Sequence, residues 1–146
     1  VCPGKYFTLV SGDLSAVRAA VDAASRKLPD QLIDSFVLGN PHDDIFPAIY
    51  GATHVENPKS LGILETYSVA SAIVGADIAA KTADVQLIEL RLARGLCGKS
   101  YLLLTGEVSA VQAAIDKAKA SVGEEGMFLD SSVIAGPDPK MWEKIL

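Results

Sequence analysis

Hydrophobic and polar positions in the second half of the chain follow two different periods, which predicts both strands and helices. The runs Leu61–Thr66 and Val85–Leu90 are short and largely apolar, as in strands that are buried on both faces. Between them, Ser68 is a suitable N-cap for an alanine-rich helix that continues to about Lys81. This part of the chain is therefore predicted to form a strand, a helix and a second strand.

The same pattern occurs again further along the chain. A turn at residues 95–98 is predicted to join the second strand to a third strand over residues 99–105. A helix begins near Glu107, and a fourth strand follows at residues 128–134. Pro139 suits the first turn of a short final helix. The order β-α-β-β-α-β predicts an α+β fold of the ferredoxin-like, split βαβ type.

The beginning of the chain repeats this later part. Residues 4–22 align with residues 98–116 at an offset of 94, and ten of the 19 pairs are identical. Farther along the chain the offset becomes 96. There, Asp34-Ser35, Val37 and Pro41 recur as Asp130-Ser131, Val133 and Pro137. Agreement on this scale indicates an internal duplication. The ten identical positions of the first block are Gly4, Lys5, Leu9, Gly12, Ser15, Ala16, Val17, Ala19, Ala20 and Asp22.

The duplication divides the chain into three parts. Residues 1–50 are predicted to be the C-terminal part of a first domain, residues 51–59 a linker, and residues 60–146 a complete second domain. Residues 60–95 have no counterpart ahead of Val1, so the first domain lacks its N-terminal strand and helix in this chain. We therefore expect that a further N-terminal segment precedes this sequence.

The first copy is predicted to follow the second half of the same fold. Its expected elements are strands at 5–11 and 32–38, a helix at 13–27 and a short helix near 43–50. A domain without its opening strand exposes core side chains and an unpaired strand edge.

Composition narrows the classes of protein that fit. The chain has 146 residues, of which 49% are hydrophobic and 21% charged, and this excludes disorder as a general description. A net charge of -5 argues against nucleic acid or an anionic membrane as the main partner. No apolar run approaches the roughly 20 residues that a membrane span needs. Two cysteines are too few for a disulfide scaffold or a self-contained four-cysteine metal site.

The run SLGILETYSVASAIVGADIAAKTADVQLIEL (60–90) resembles the opening of the bacterial microcompartment shell domain, and GKSYLLLTGEVSAVQAAI (98–115) is similar to its second strand–helix unit. Two such domains in one chain resemble the tandem class, which forms trimers shaped like hexamers. The resemblance thus implies a homotrimer, contacts with neighbouring shell proteins and a location in a bacterial microcompartment within the cytoplasm. The matching positions are Gly62, Glu65, Thr66, Ala76, Asp77, Lys81 and Val85.

The opening Cys2-Pro3-Gly4-Lys5 is similar to the pore-facing loop of the iron–sulfur-binding tandem shell proteins of the propanediol-utilisation compartment. The stretches IDSFVLGNPH (33–42) and SSVIAGPDPKMW (131–142) strengthen this resemblance. It implies one 4Fe–4S cluster per trimer, shared by Cys2 of three subunits. Such a cluster would serve electron transfer or cluster transport across the shell, with encapsulated redox enzymes as partners.

The predicted pore loops comprise Cys2, Pro3, Gly4 and Lys5 in the first copy and Leu96, Cys97 and Gly98 in the second. From the residues alone, Cys2 also fits an ordinary loop thiol, because a cluster needs several thiolates and one chain supplies one here. Cys97 lies one position beyond Leu96, the counterpart of Cys2. This offset favours a buried or half-buried structural thiol at Cys97 rather than a metal ligand.

Other polar residues suggest further roles. Lys81 matches the edge lysine with which the resembled family packs against neighbouring tiles, although a cation also stabilises a helix C-terminus without a partner. Glu65 and Asp77 are separated by a helix and do not suggest an acid–base pair. His42 and His54 lie in turn segments and are predicted to be solvated loop residues.

The sequence contains no phosphate-binding loop, zinc-ligand spacing or nucleophile elbow. It therefore predicts a structural protein rather than an enzyme. The alternative is a trimeric ferredoxin-like regulator that binds a small ligand between subunits. A phosphate-binding loop or a basic cleft would favour that alternative.

Overall fold

A computed structural model describes residues 4–146. Its centre is a four-stranded antiparallel sheet in which the strands lie in the order β2-β3-β1-β4. All four strands come from the second copy, and β1 lies between β3 and β4 and pairs with both. The strands are β1 (Ser60–Thr66), β2 (Val85–Leu92), β3 (Ser100–Gly106) and β4 (Phe128–Ile134).

Five helices accompany the sheet in the described residues, and two of them cover one of its faces. The helices are α1 (Leu14–Lys27), α2 (Ile45–Tyr50), α3 (Val69–Thr82), α4 (Val108–Glu124) and α5 (Pro139–Ile145). Helices α3 and α4 pack together over the sheet, and α2 packs against β2. The predicted order β-α-β-β-α-β and the α+β fold class of the second copy are confirmed.

Small residues allow α4 to approach the sheet closely. A Cβ atom on Gly62 of β1 would lie 2.6 Å from Leu104 Cδ1 and 2.8 Å from Val111 Cγ1. Leu104 and Val111 are fully buried, so neither has free space into which it can move. The glycine therefore sets the distance between β1 and α4.

The strands predicted at residues 5–11 and 32–38 are wrong. Neither segment forms regular secondary structure, and neither belongs to the sheet. They are the counterparts of β3 and β4, which in the second copy are held together by β1. Among residues 4–146 the first copy has no strand that corresponds to β1, so these two segments lack the partner that would join them.

Within the described residues, the buried core lies after position 44. Every buried hydrophobic side chain of the described chain lies between Ile45 and Val122, and α1 contributes none. Residues 43–146 thus contain the complete sheet and every buried hydrophobic side chain of the described residues, and Phe36 and Leu38 of the first copy pack against this core. Large hydrophobic residues of the first copy are exposed instead: Tyr6, Phe7, Leu9, Val10, Leu14, Leu28, Leu32 and Ile33.

None of the helices within residues 4–146 is long and apolar enough to cross a membrane.

Candidate pore loop and contact between the copies

The connection between β2 and β3 is a tight loop with an unusual backbone. Ala93, Gly95, Cys97 and Gly98 all have positive φ, at 57°, 76°, 56° and 94°. Residues other than glycine rarely adopt this backbone conformation, because their Cβ atom then crowds the following carbonyl oxygen. The base of the loop is held by the Ala93 N–H, which donates to Ser100 Oγ at 3.1 Å. The turn predicted at residues 95–98 is confirmed.

The loops of the two copies lie side by side. Lys5 Nζ donates a hydrogen bond to the carbonyl oxygen of Cys97 at 3.0 Å. The Lys5 side chain passes over Gly98, where a Cβ atom would lie 2.8 Å from Lys5 Cδ. Gly4, the counterpart of Gly98, also has a positive φ of 73°. The described members of the two predicted pore loops therefore meet within one chain.

Of the other predicted pore residues, the structure describes Leu96 and Cys97. Cys2 and Pro3 lie outside the described residues, so Cys2 as a metal ligand stays a prediction. Leu96 belongs to the tight loop, and its carbonyl accepts a hydrogen bond from the Lys99 N–H at 3.1 Å. Cys97 is exposed, so the buried or half-buried position expected for it is wrong. The reason is the reversal of the chain at Gly98, which keeps the loop outside the core.

One chain does not supply the ligands of a four-iron cluster from its described part. Within residues 4–146, no three side chains of His, Cys, Asp or Glu come together as a metal site. Cluster iron is normally held by several thiolates, so a cluster at Cys2 requires sharing between subunits. Gly4, the first described residue, is exposed, and a Cβ atom there would meet nothing within 4 Å.

Lys81 lies in the last turn of α3 and contacts the first copy. Its Nζ lies 2.7 Å from Asp77 Oδ2 and 2.5 Å from the carbonyl oxygen of Asn40. Asp77 is only 5% exposed, and its other oxygen accepts the His42 N–H at 2.8 Å. The network ties residues 40–42 to the C-terminal end of α3. The edge role of Lys81 toward other tiles stays a prediction.

The other charged residues predicted from the sequence are separate from this network. Glu65 pairs with Lys99 at 3.1 Å, away from Asp77, so the two carboxylates do not form a pair. His54 is an exposed loop residue, as predicted. His42 lies in a loop, as predicted; it is half-buried, and its Nδ1 accepts the Asp44 N–H at 3.3 Å.

The N-terminal end of α3 is also held by the first copy. Asp34 Oδ2 accepts hydrogen bonds from the hydroxyls of Ser68, the N-cap of α3, and Ser71, the latter at 2.7 Å. A carboxylate at this position is favourable because the helix dipole is positive there. Residues 34–42, which we call the inter-copy segment, thus run from the N-terminal to the C-terminal end of α3. Phe36 and Leu38 pack against the core between these contacts.

A cluster of three polar side chains lies on the sheet, and the sequence analysis did not predict it. Arg91 Nη2 lies 2.6 Å from Glu89 Oε1, and the Tyr101 hydroxyl donates to Glu89 Oε2 at 2.9 Å. Burial, together with this hydrogen bond, raises the pKa of Tyr101 above its ordinary value, and the bond to Glu89 raises the pKa of Arg91. Arg91 of β2 lies opposite Tyr101 of β3. The alternation of side chains along each strand indicates which residues share a face, but the pairing of the two strands shifts at an irregularity between Leu87 and Glu89, which the sequence does not reveal.

Comparisons with known proteins agree on one family. The BMC domain matches residues 1–41 and 60–137, which include both copies. The bacterial microcompartment shell protein PduT of Citrobacter freundii is 39% identical over all 146 residues, and the match covers 79% of that protein. The shell protein PduK of Salmonella typhimurium is 38% identical over 79 residues, which are 54% of this chain and 49% of PduK.

A solved structure supports the same relationship. The crystal structure of a microcompartments protein from Desulfitobacterium hafniense DCB is 39% identical to this chain, with a TM-score of 0.79. The similarity covers 90% of this chain and 73% of that one.

Proposed function

Because the chain belongs to the BMC-domain family of bacterial microcompartment shell proteins, we propose that it forms a homotrimeric tile with a 4Fe–4S cluster on its threefold axis. The chain is a shell protein, and its place is in the shell of a microcompartment, as its sequence predicted. The proposal extends this to the oligomer, the cluster and the passage of electrons or cluster components across the shell. The encapsulated redox enzymes are its proposed partners.

The duplication is the main support for a trimer. Three chains with two related copies each supply six similar loops, which suits a ring with the outline of a hexamer. The hydrogen bond from Lys5 to the Cys97 carbonyl holds the two loops of one chain next to each other. Such pairs repeated around an axis would alternate the first-copy and second-copy loops.

The choice of Cys2 as the ligand follows from the resemblance of its loop and from symmetry. Near a threefold axis one thiolate per chain becomes three, which leaves one iron of a four-iron cluster open to water or another ligand. The exposed Gly4 leaves room on the side of the loop that a side chain would fill. When bound, the cluster supplies one-electron transfer, while Cys2 holds it and Lys5 fixes the neighbouring loop.

Nothing in the described residues favours the regulator instead. A cleft at the ends of β2 and β3 is lined by the carboxylates of Asp44, Asp84 and Glu107, and Lys59 is already paired with Glu107. An acidic cleft does not attract the anionic ligands that such regulators bind. We therefore propose a structural role without catalysis.

The experiment begins with protein purified without oxygen. Native mass spectrometry measures the oligomer, electron microscopy detects sheets of tiles, and iron and sulfide analysis with electron paramagnetic resonance measures the cluster. Cys2→Ser is expected to abolish the iron signal and leave the trimer intact, because the harder serine oxygen binds cluster iron poorly.

Cys97→Ser is the matched control in the adjacent loop and is expected to keep the signal. A monomer would contradict the assembly. Loss of the cluster in Cys97→Ser with retention in Cys2→Ser would contradict the assignment of the ligand. Iron-free protein that binds a small anion between subunits would support the regulator.

A further inference from the structure

The two predicted pore loops lie in parts of the chain that contain no acidic residue. Residues 4–12 and 90–106 contain four cationic side chains and no carboxylate, although the whole chain has a net charge of -5. All 18 aspartates and glutamates lie outside these two stretches. The sequence therefore concentrates positive charge at the loops without a local counter-charge. The four cations are Lys5, Arg91, Arg94 and Lys99.

Contacts with carboxylates neutralise two of these cations. Arg91 pairs with Glu89, and Lys99 pairs with Glu65 at 3.1 Å. The side chain of Lys99 is still 42% exposed. Arg94 is exposed and forms no ion pair with any residue of the described chain. Its guanidinium charge is therefore available to a partner.

Lys5 brings the positive charge of the first copy to the same loop. Its Nζ donates to the Cys97 carbonyl oxygen and lies 3.1 Å from the position that a Cβ atom on Gly98 would take. Arg94 belongs to this loop as well. Cations from both copies thus meet at the connection between β2 and β3.

The backbone of this loop also provides donors for an anion. Positive φ at Ala93, Gly95 and Cys97 alternates with negative φ at the residues between them. When φ alternates in sign in this way, successive N–H groups point into one concavity, which attracts negative charge. The N–H groups of Gly95 and Gly98 donate to no backbone carbonyl among residues 4–146. These two donors and the Arg94 guanidinium can therefore bind carboxylate oxygens.

The open form of the loop favours a protein partner over a small solute. Arg94, Gly95 and Cys97 are exposed. None of them lines the cleft that contains Asp44, and none lines the cleft beside Tyr101. Small ligands bind in concave sites that bury most of their surface. An exposed loop with several separate cations instead suits the carboxylates of a second macromolecule.

We propose that residues 93–99, together with Lys5, form the docking surface for the acidic face of a one-electron carrier protein. The inference rests on the proposed function and names the surface and the chemistry of its redox partner. Lys5 lies three positions after Cys2, the predicted cluster ligand. Three residues span at most about 11 Å, so a carrier docked on Lys5 lies near the cluster. One electron passes from the reduced carrier to the oxidised cluster, and no bond forms or breaks.

Docking of this kind is weak and depends on salt. Redox encounters bury small interfaces, and complementary charges mainly accelerate their association. Around the proposed threefold axis, the cations of three chains act on one carrier, which increases the attraction. Dissolved salt screens exposed charges from one another. We therefore expect binding at low ionic strength that is lost at high ionic strength.

The binding test uses the whole chain with Cys2→Ser, so that it requires no cluster. The probe is a plant-type ferredoxin with an acidic surface, and isothermal titration calorimetry measures its affinity at low and high salt. Arg94→Glu is expected to weaken binding about tenfold or more at low salt, because an attractive charge becomes a repulsive one. Arg94→Gln, which only removes the charge, should give an intermediate loss.

Lys117→Glu is the matched control. It makes the same change in net charge at an exposed position of α4. Because it lies outside the loop, it should weaken binding less than about threefold. Circular dichroism establishes that the variants are folded.

Backbone amide signals in nuclear magnetic resonance locate the contact. The N–H signals of Gly95 and Gly98 should shift when ferredoxin is added, whereas that of Gly51, an exposed glycine in another loop, should not. Acetate is the small-anion comparison and should shift neither loop signal at the same concentration. Acetate binding at the loop without ferredoxin binding would mean that the loop is a solute site, and it would overturn the proposal.

Electron transfer gives a second readout in protein that holds a cluster. Arg94→Glu should slow reduction of the cluster by reduced ferredoxin about tenfold at low salt. Reduction by the methyl viologen radical, a small cation, should not become slower.

The outcomes separate this proposal from the proposed function. Ferredoxin that does not bind the chain at low salt overturns the docking surface, as does equal binding to the Arg94→Glu and Lys117→Glu variants. A wild-type chain without a cluster would contradict the proposed function, and calorimetry with Cys2→Ser would still test the docking surface. Loss of binding in Arg94→Glu alone supports it in either case.

Discussion

Lys5 Nζ and the carbonyl oxygen of Cys97 are joined by a hydrogen bond of 3.0 Å across 92 positions of the chain. The bond connects two loops that arose by duplication, and it does so at a backbone atom of a residue with positive φ. The Lys5 side chain also packs over Gly98, where there is no space for a Cβ atom. The Lys5 side chain and the missing Cβ at Gly98 thus both contribute to the relative position of the two loops.

Gly98→Ala is expected to lower the free energy of unfolding by about 1 kcal/mol from backbone strain. Displacement of Lys5 should add about 0.5 kcal/mol more, because its bond to Cys97 is lost. Gly95→Ala is the control, since Gly95 also has a positive φ but a Cβ there meets nothing within 4 Å. Urea unfolding measures both variants. In a Lys5→Ala background the extra cost at Gly98 should vanish, and persistence of that cost would contradict the steric role of Lys5.

Gly62→Ala tests the close approach of α4 to the sheet. The added methyl would lie within 2.8 Å of both Leu104 and Val111, and overpacking of this kind costs about 1–3 kcal/mol. Gly136→Ala, at a position with open space, is the control and should change stability by less than about 0.5 kcal/mol. Equal stabilities of the two variants by urea unfolding would mean that the core rearranges more easily than its burial indicates.

Lys81→Ala distinguishes the two roles of this lysine. Loss of its contacts with Asp77 and Asn40 is expected to lower the free energy of unfolding by about 1 kcal/mol, since the buried carboxylate loses a partner. Lys81 itself is 42% exposed, so a larger effect is not expected. Thermal melting measures this change, and electron microscopy measures the lateral packing of tiles. Unchanged stability with loss of lateral packing would show that Lys81 acts at the tile edge alone.

The raised pKa of Tyr101 predicts a loss of stability in alkaline solution. The unfolded chain releases the phenol proton at its ordinary pKa of 10.0, below the pKa of the folded protein. Stability from this group is therefore complete below pH 10 and declines as the pH rises through the folded pKa. Tyr101→Phe should remove this part of the decline. Unfolding in urea across this pH range tests the difference.

The sequence predicted the second copy well because its elements are specified locally. Ser68 begins α3 where an N-cap was expected, and β4 has the predicted bounds. The strands predicted at 5–11 and 32–38 failed for a different reason. Alternation shows that a segment can be extended, but a strand also needs a partner, and pairing depends on residues far away in sequence.

In the candidate site, too, local features could be predicted from the sequence and long-range contacts could not. The loop at residues 95–98 follows from its glycines, but its contact with Lys5 depends on how the two copies pack. The hydrogen bonds of Asp34 to Ser68 and Ser71 cross more than 30 positions and have no local signal. The repeated Asp-Ser pair at Asp34 and Asp130 was visible in the sequence, but the contact of Asp34 with α3 depends on how the two copies pack.

In the part of the chain that the structure describes, every buried hydrophobic residue comes after position 44, and this has a kinetic consequence. Helix α1 has no buried side chain, so its hydrogen bonds can open without breaking the core. Amide hydrogens of α1 should therefore exchange with solvent by local opening, while those of β1 and β3 should exchange when the whole sheet unfolds. Native-state hydrogen exchange would then separate two classes of amide within one chain, divided where the inter-copy segment meets α3.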